Sequence, residues 1–117
     1  MTETPTAEIP LIGIEDFQKI QLRTGLVVAG ERHPQADRLL VLKVDVGEAE
    51  PRTIVAGIAS RYAPEELVGT RVVVVINLKP VKLRGIMSHG MLLAAGGGDV
   101  KAMATTTEEV PPGTIVR

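Results

Sequence analysis

Apolar side chains occupy every second position of residues 39–46, and this run most constrains the fold. They are Leu40, Leu42, Val44 and Val46, and the polar Lys43 and Asp45 fall between them. Successive side chains of a strand point to opposite faces, so the pattern predicts a β-strand with one apolar and one polar face. A helix would need apolar residues three or four positions apart.

Further short segments with strand-like composition lie along the chain, separated by turns that contain glycine and proline. We predict strands at residues 22–31, 52–58, 71–76, 90–95 and 114–116, a helical turn at 15–20 and a short helix at 63–67. Three strands, a short helix and then two more strands is the order of an all-β, five-stranded Greek-key barrel, the OB-fold, with extra segments at both ends. The pattern alone also fits a small open β-barrel of another topology.

Composition limits the chain to one compact domain with a single core, since it has 117 residues and 44% hydrophobic content. The absence of cysteine excludes disulfides and thiolate metal sites. The acidic, polar start lacks the parts of a secretion signal, and no apolar run is long enough to span a membrane. We therefore expect a cytoplasmic protein with no membrane partner, in which residues 1–8 form a disordered lead.

One segment, residues 77–91, concentrates positive charge in a chain whose formal net charge is only −1. It contains Lys79, Lys82 and Arg84 and no acidic residue. Pro80 opposes a helix, so we predict an extended segment in which Lys82 and Arg84 project from the same side. Two cations on one side suit a phosphate backbone, although a solvated strand face is the simpler explanation in an arbitrary protein.

No catalytic, cofactor or metal site is predicted. A zinc site would need His33, His89 and a carboxylate to converge, and Asp37 is better explained as a loop cap. The glycine run at 96–98 lacks the ending of a phosphate-binding loop. The acidic pair at 65–66 suits the first turn of a helix. We expect a binding protein that is not an enzyme by itself.

Several ordered blocks carry a family resemblance over nearly the whole chain. They are Leu22-Arg-x-Gly25, His33-Pro-x-Ala-Asp-Arg-Leu-Leu40, Arg52-Thr-Ile-Val-Ala-Gly-Ile58, Tyr62-x-Pro-Glu-Glu-Leu-Val-Gly69, Asn77-Leu-Lys-Pro80, Lys82-Leu-x-Gly85 and Ser88-x-Gly-Met91. Together they closely resemble the tRNA-binding domain family, which occurs as the C-terminal domain or a subunit of bacterial methionyl-tRNA synthetases and as stand-alone dimeric tRNA-binding proteins.

The resemblance implies that residues 9–117 form an OB-fold tRNA-binding domain that grips the outer corner of the L-shaped tRNA and assists a synthetase catalytic body. The alternative is an export-related, chaperone-like peptide-binding protein of the same fold. With only Phe17 and Tyr62 as aromatic residues, stacking of bases on rings cannot be the main device. Phosphate, 2′-hydroxyl and shape contacts to folded RNA are expected instead.

Eight residues are predicted to form the RNA site: His33, Arg38, Asn77, Lys79, Lys82, Arg84, Ser88 and Met91. Three of them also have a structural explanation. Asn77 and Ser88 are residue types that fix turns through their side chains, and Met91 suits a core.

A homodimer is expected from the apolar stretch at residues 9–14, which lies outside the barrel strands and would be costly to leave in water. The resemblance to dimeric relatives points the same way. The alternative is that this stretch packs across its own barrel as an end plug. The sequence leaves open whether the chain is a stand-alone protein, a separate subunit or an excised domain.

Overall fold

The structure, a computed structural model, describes residues 8–117. Residues 1–7, which make up most of the predicted disordered lead, lie outside the described residues. The elements are α1 (Ile14–Gln18), β1 (Leu22–Arg32), β2 (Leu40–Asp45), β3 (Arg52–Ala56), α2 (Pro64–Leu67), β4 (Arg71–Val75), β5 (Val81–Leu83), β6 (Ile86–Ser88), β7 (Met91–Leu92), β8 (Ala94–Ala95), β9 (Ala102–Met103) and β10 (Ile115–Val116). Within residues 8–117, neither helix has the length or apolar character to cross a bilayer.

The predicted barrel is confirmed, with strands in the order β3-β2-β1-β4-β7 and every pair antiparallel. The long strand β1 serves both sides of the barrel: Leu22–Leu26 pairs with β4, and Leu26–Arg32 pairs with β2. A register shift between Val27 and Ala29 lets β1 bend between these two partners. The short helix α2 lies between β3 and β4, as the sequence order predicted.

The barrel interior is filled by the apolar side chains that alternate along the strands. Its most deeply buried members are Leu40, Leu42, Val44, Ile54, Val27, Val72 and Val74. The predicted apolar face of β2 is therefore confirmed, since Leu40, Leu42 and Val44 enter this core. On the opposite face Lys43 is exposed, but Val41 is buried.

Strand β4 is covered on both faces. Val73 and Val75 point away from the barrel interior and form a second buried cluster with Leu22. The C-terminal segment covers this cluster, partly through Val116. Thr24, which is also buried, binds the same segment by donating its hydroxyl to the Pro111 carbonyl at 2.8 Å.

The predicted extended segment around residues 79–84 is wrong in one respect, because the chain reverses there. β5 and β6 form a hairpin whose two turn residues, Arg84 and Gly85, have φ angles of 51° and 93°. Positive φ at both positions is the geometry of a two-residue hairpin turn that matches the twist of its strands. Lys82 therefore lies on a strand and Arg84 at the tip, instead of side by side on one extended face.

Candidate nucleic-acid interface

The hairpin formed by residues 81–88, here called the basic hairpin, presents two different faces. Lys82 is paired across the hairpin with Met87, and both side chains are exposed. Val81 and Leu83 have the opposite parity and, with Ser88, line a cleft against the barrel. Because side chains alternate along each strand, the hairpin separates a cationic outer face from an apolar inner one.

The loop between β1 and β2 holds the basic hairpin through a buried histidine. His33 is only 5% exposed. Its Nδ1 accepts a hydrogen bond from the Gln35 amide at 3.0 Å, and its Nε2 lies 3.1 Å from the Leu83 carbonyl. The backbone N–H of Gln35 can only donate, so Nδ1 is the acceptor. The ring proton therefore lies on Nε2, which donates to the Leu83 carbonyl. The burial and these contacts indicate that the ring fixes the hairpin, and a direct RNA contact by His33 stays a prediction.

Ser88 is the second predicted site residue that is buried, at 5% exposed, and its RNA contact also stays a prediction. Its hydroxyl accepts the Val55 amide at 2.9 Å and donates to the Gly90 carbonyl at 3.1 Å. Next to it, the His89 amide bonds the Thr53 carbonyl at 2.8 Å. These bonds join the end of the hairpin to β3, where the barrel would otherwise be left open.

Asn77 connects the exit of β4 to the N-terminal segment. Its Oδ1 accepts the Gln21 amide at 2.9 Å, and its Nδ2 donates to the Lys19 carbonyl at 2.6 Å. The residue is exposed, but both ends of its amide are engaged by backbone more than fifty residues away. Asn77 thus acts as a clamp between distant segments, whereas the structural alternative in the sequence was a local turn; its predicted RNA contact stays a prediction.

The remaining predicted residues are all exposed, but the structure does not bring them all together. Lys79 and Met91 line the same cleft as the inner face of the basic hairpin. Arg84 lies at the hairpin tip, where its Nη2 donates to the Gln35 carbonyl at 3.3 Å. Arg38 instead lines a separate cleft beside Gly98 and the acidic Asp99. The part of the predicted site that lies on or beside the basic hairpin is therefore Lys79, Lys82, Arg84 and Met91.

The positive charges of Lys79, Lys82 and Arg84 favour the binding of an anion at the basic hairpin. Among residues 8–117 the ion pairs are Lys19 with Asp16, Arg52 with Glu48, and Arg71 with Glu109. None of them uses a cation of the basic hairpin or Lys79. No acidic residue occurs in the sequence between positions 67 and 98. The positive charge here is thus not neutralised by nearby carboxylates along the chain.

Arg52 supports the base of the site and was not predicted to do so. One Nη donates to the carbonyls of Ile76 and His89, at 2.8 and 3.1 Å, while Nε and the other Nη bind Glu48. Hydrogen bonding to Arg52 lowers the pKa of Glu48, and hydrogen bonding to Glu48 raises that of Arg52. The spacing of four between these opposite charges was the available signal in the sequence. With its donors so engaged, Arg52 is a support for the strand ends.

Two clefts flank Leu78 at this end of the molecule. One, of about 550 Å³, is mainly polar and is lined partly by Arg52, Pro80 and His89. The other, of about 200 Å³, is mainly apolar and lies between the barrel and the inner face of the basic hairpin. We call the second one the hairpin cleft; it is lined by Val55, Leu78, Lys79, Val81, Leu83, Ser88, Gly90 and Met91.

Comparison with known proteins places residues 22–115 in a family described as "Putative tRNA binding domain". A methionine–tRNA ligase from Thermotoga maritima is 51% identical over 116 residues, covering 99% of this chain and 18% of the ligase. The chain spans less than a fifth of the length of the curated relatives it matches.

Two solved structures share the whole fold. A protein from Pyrococcus horikoshii described as MetRS related superposes with a TM-score of 0.84 at 42% identity, covering 93% of this chain and 100% of its own. A chaperone CsaA from Bacillus anthracis superposes with a TM-score of 0.83 at 32% identity, covering 92% and 100%. Because the family match takes in most of the chain and includes the basic hairpin, this protein belongs to the tRNA-binding domain family.

Proposed function

We propose that this domain binds tRNA through phosphate and shape contacts centred on the basic hairpin. The observation that carries the proposal is the group of exposed cations, Lys79, Lys82 and Arg84, with no ion-pair partner among residues 8–117. Cations of this kind release counterions from a nucleic-acid backbone and supply affinity that does not depend on sequence. Because the chain belongs to the tRNA-binding domain family, the nucleic acid that we propose is tRNA.

The contact is with folded RNA and not with a stacked single strand. Tyr62 is half-buried, its hydroxyl accepts the Met103 amide at 3.2 Å, and Arg61 covers its ring. Phe17 lies on α1 and not on the hairpin. Neither ring lines the hairpin cleft. Without a stacking platform at the cations, recognition rests on the arrangement of phosphates and 2′-hydroxyls, as on the outer corner of the L-shaped tRNA.

The domain acts as a non-catalytic aid to aminoacylation. Relatives that it matches over nearly its full length are methionine–tRNA ligases of which it spans 15–18%. A basic module of this size adds affinity for tRNA to a catalytic body that it is joined to or associates with. Linking two binding surfaces converts the second contact into an intramolecular one, which raises affinity without new chemistry.

The test is a binding titration of a folded tRNA transcript at several salt concentrations. We expect the double variant Lys82→Ala/Arg84→Ala to lose about two units of the slope of log affinity against log salt, with an unchanged unfolding midpoint. An unstructured pyrimidine RNA of equal length should bind more weakly than the tRNA. The charge-matched control is Lys43→Ala/Lys101→Ala, which removes two cations from outside the site. Equal loss in both double variants would contradict a localised site.

Peptide binding is the second candidate, favoured by the apolar hairpin cleft and by the likeness to a protein described as a chaperone. Burial of apolar side chains responds little to salt, whereas phosphate contacts weaken steeply as salt increases. Titration of tRNA and of an unfolded apolar protein over the same salt range therefore separates the two functions.

We also propose that two copies of the chain pair through the N-terminal apolar segment, defined as residues 9–14. Its side chains are exposed, Leu11 at 92%, and α1 has no buried residue. The end-plug alternative is therefore wrong for the single chain. Burial of four such side chains would contribute roughly 6 to 12 kcal/mol before the costs of association. Pairing would also place two basic hairpins on one body, within reach of a single tRNA.

A further inference from the structure

The hairpin cleft has a composition that the phosphate contacts do not explain. It is mainly apolar, yet it lies directly behind the exposed cations and includes Lys79 in its lining. Val81 and Met91 at its edge are both about half exposed to solvent. An apolar cavity beside unpaired positive charge matches a molecule that is flat and apolar on its faces and carries a negative charge at one end.

A nucleotide has this chemistry, and the size of the cleft fits one base. Its volume of about 200 Å³ lies below the roughly 300–1,000 Å³ of sites for drug-sized ligands. We propose that the cleft accepts a single unstacked nucleobase of the bound tRNA, with the adjoining phosphate on Lys79. This inference rests on the proposed tRNA-binding function and adds a base contact to it.

The side chains that line the cleft offer few free hydrogen-bonding groups that could distinguish one base from another. The hydroxyl of Ser88 is engaged twice, by the Val55 amide and by the Gly90 carbonyl. Apart from the Lys79 ammonium, the lining side chains are otherwise aliphatic or methionine. Discrimination between bases requires hydrogen bonds to their edges. The base is therefore held by packing, including contact of the Met91 sulfur with its ring, and any base at that position serves.

Two methionines near the cleft supply a closely matched pair of variants for the test. Met91 and Met87 are the same residue type, with exposures of 47% and 40%, but only Met91 lines the cleft. Met91→Ala and, separately, Val81→Ser should each weaken binding of a folded tRNA transcript about three- to tenfold. The salt slope should not change, because no charge is removed. Met87→Ala removes the same side chain from the outer face and should weaken binding less than Met91→Ala does.

The nucleotide is identified by mapping 2′-hydroxyl acylation on the same transcript. We expect one position to change reactivity with the wild-type protein and to revert with Met91→Ala. Removing the base at that position should weaken binding about as much as Met91→Ala does, whereas exchanging it for another base should not. Unfolding midpoints equal to that of the wild type establish that the variants are folded.

The outcomes separate the inference from the function on which it rests. If Lys82→Ala/Arg84→Ala weakens tRNA binding but Met91→Ala and Val81→Ser do not, the base contact is refuted and tRNA binding stands. If the wild type does not bind the transcript, the proposed function fails and the inference with it. If the cleft variants lose only the binding of reduced, carboxymethylated α-lactalbumin, the cleft is a peptide site and the base contact is again refuted.

Discussion

Arg84 has a side chain in a backbone conformation that favours glycine or asparagine. Among the residues that the structure describes, Arg84 is the one non-glycine residue with a positive φ, at 51°. Such a conformation costs free energy, because the Cβ atom crowds the following carbonyl. An arginine at the tip of the basic hairpin is therefore explained better by what its charge binds than by what its backbone prefers.

We predict that Arg84→Asn raises the free energy of unfolding by about 0.5–1 kcal/mol, since asparagine tolerates this φ at lower cost. The same substitution should weaken tRNA binding and reduce the salt slope by about one unit. Urea denaturation and a salt titration measure the two effects. Lys82→Asn is the control, because it removes a cation from a strand and relieves no strain. A loss of both stability and affinity in Arg84→Asn would contradict this explanation.

The ion pair between Glu48 and Arg52 predicts a pH dependence of stability. The hydrogen bond to Arg52 holds the pKa of Glu48 below its ordinary 4.5. A lowered folded-state pKa means that the stabilisation is complete above pH 4.5 and is lost as the pH falls through the folded value. Because Glu48 is about half exposed, the pair contributes at most about 1 kcal/mol.

Glu48→Gln should therefore lower the free energy of unfolding by up to about 1 kcal/mol at pH 7, and the difference from the wild type should shrink as the pH falls through the folded-state pKa of Glu48. Urea denaturation at pH 7, 5 and 3 measures it. Glu50→Gln is the control, since Glu50 is exposed and forms no ion pair among residues 8–117. A difference between Glu48→Gln and the wild type that stays constant with pH would rule out the charge as its source.

At the scale of elements, the basic hairpin depends on a support from another loop. His33 reaches the Leu83 carbonyl at 3.1 Å, and Arg84 reaches the Gln35 carbonyl at 3.3 Å. A hairpin of two three-residue strands has few internal bonds and is at best marginally stable alone. Its orientation is therefore set by the loop that precedes β2.

We predict that His33→Ala costs about 1–3 kcal/mol of stability, because it leaves the Leu83 carbonyl and the Gln35 amide without their partner. The amides of residues 81–88 should exchange with deuterium faster than in the wild type, and tRNA affinity should fall. His89→Ala is the control, since His89 is exposed and its bond to Thr53 uses only the backbone. Unchanged exchange in the hairpin would show that His33 does not hold it.

The same elements show which features of this fold are predictable from the amino-acid sequence. The alternation of β2 was predictable, because a strand between core and solvent imposes a period of two. The reversal at Arg84 was not, because the turn carries Arg-Gly and not the usual Asn-Gly or Asp-Gly. The roles of His33, Asn77 and Ser88 depend on partners 33 to 58 residues away. The types of these residues were informative, but their partners could not be read from local patterns.

At the scale of the whole molecule, a net charge of −1 leaves the cations of one hairpin to carry the attraction to RNA. Two hairpins on a symmetric pair would double that local charge. The exposed N-terminal apolar segment is the feature that would bring them together. We therefore expect assembly and affinity to change together.

Leu11→Glu should convert the dimer into a monomer, since a charge would lie in the apolar interface, and should weaken tRNA binding without altering the unfolding of the single chain. Sedimentation at tens of micromolar measures the assembly. Val68→Glu changes another exposed apolar residue outside the segment and should remain dimeric. A wild-type monomer at this concentration would refute pairing, and a chain shortened to begin at Glu15 that still pairs would move the interface elsewhere.

The Asn77 clamp determines where this domain can be cut if it is to be transferred to a different protein. The family match begins at residue 22, yet the two backbone groups that satisfy the Asn77 amide belong to Lys19 and Gln21. A transferred domain that begins at residue 22 would leave the Asn77 side-chain amide without both of these partners. Asn77 lies only two positions before Lys79. The smallest portable unit of this module therefore begins no later than Lys19, and its boundary is set by a hydrogen-bonding requirement inside the fold.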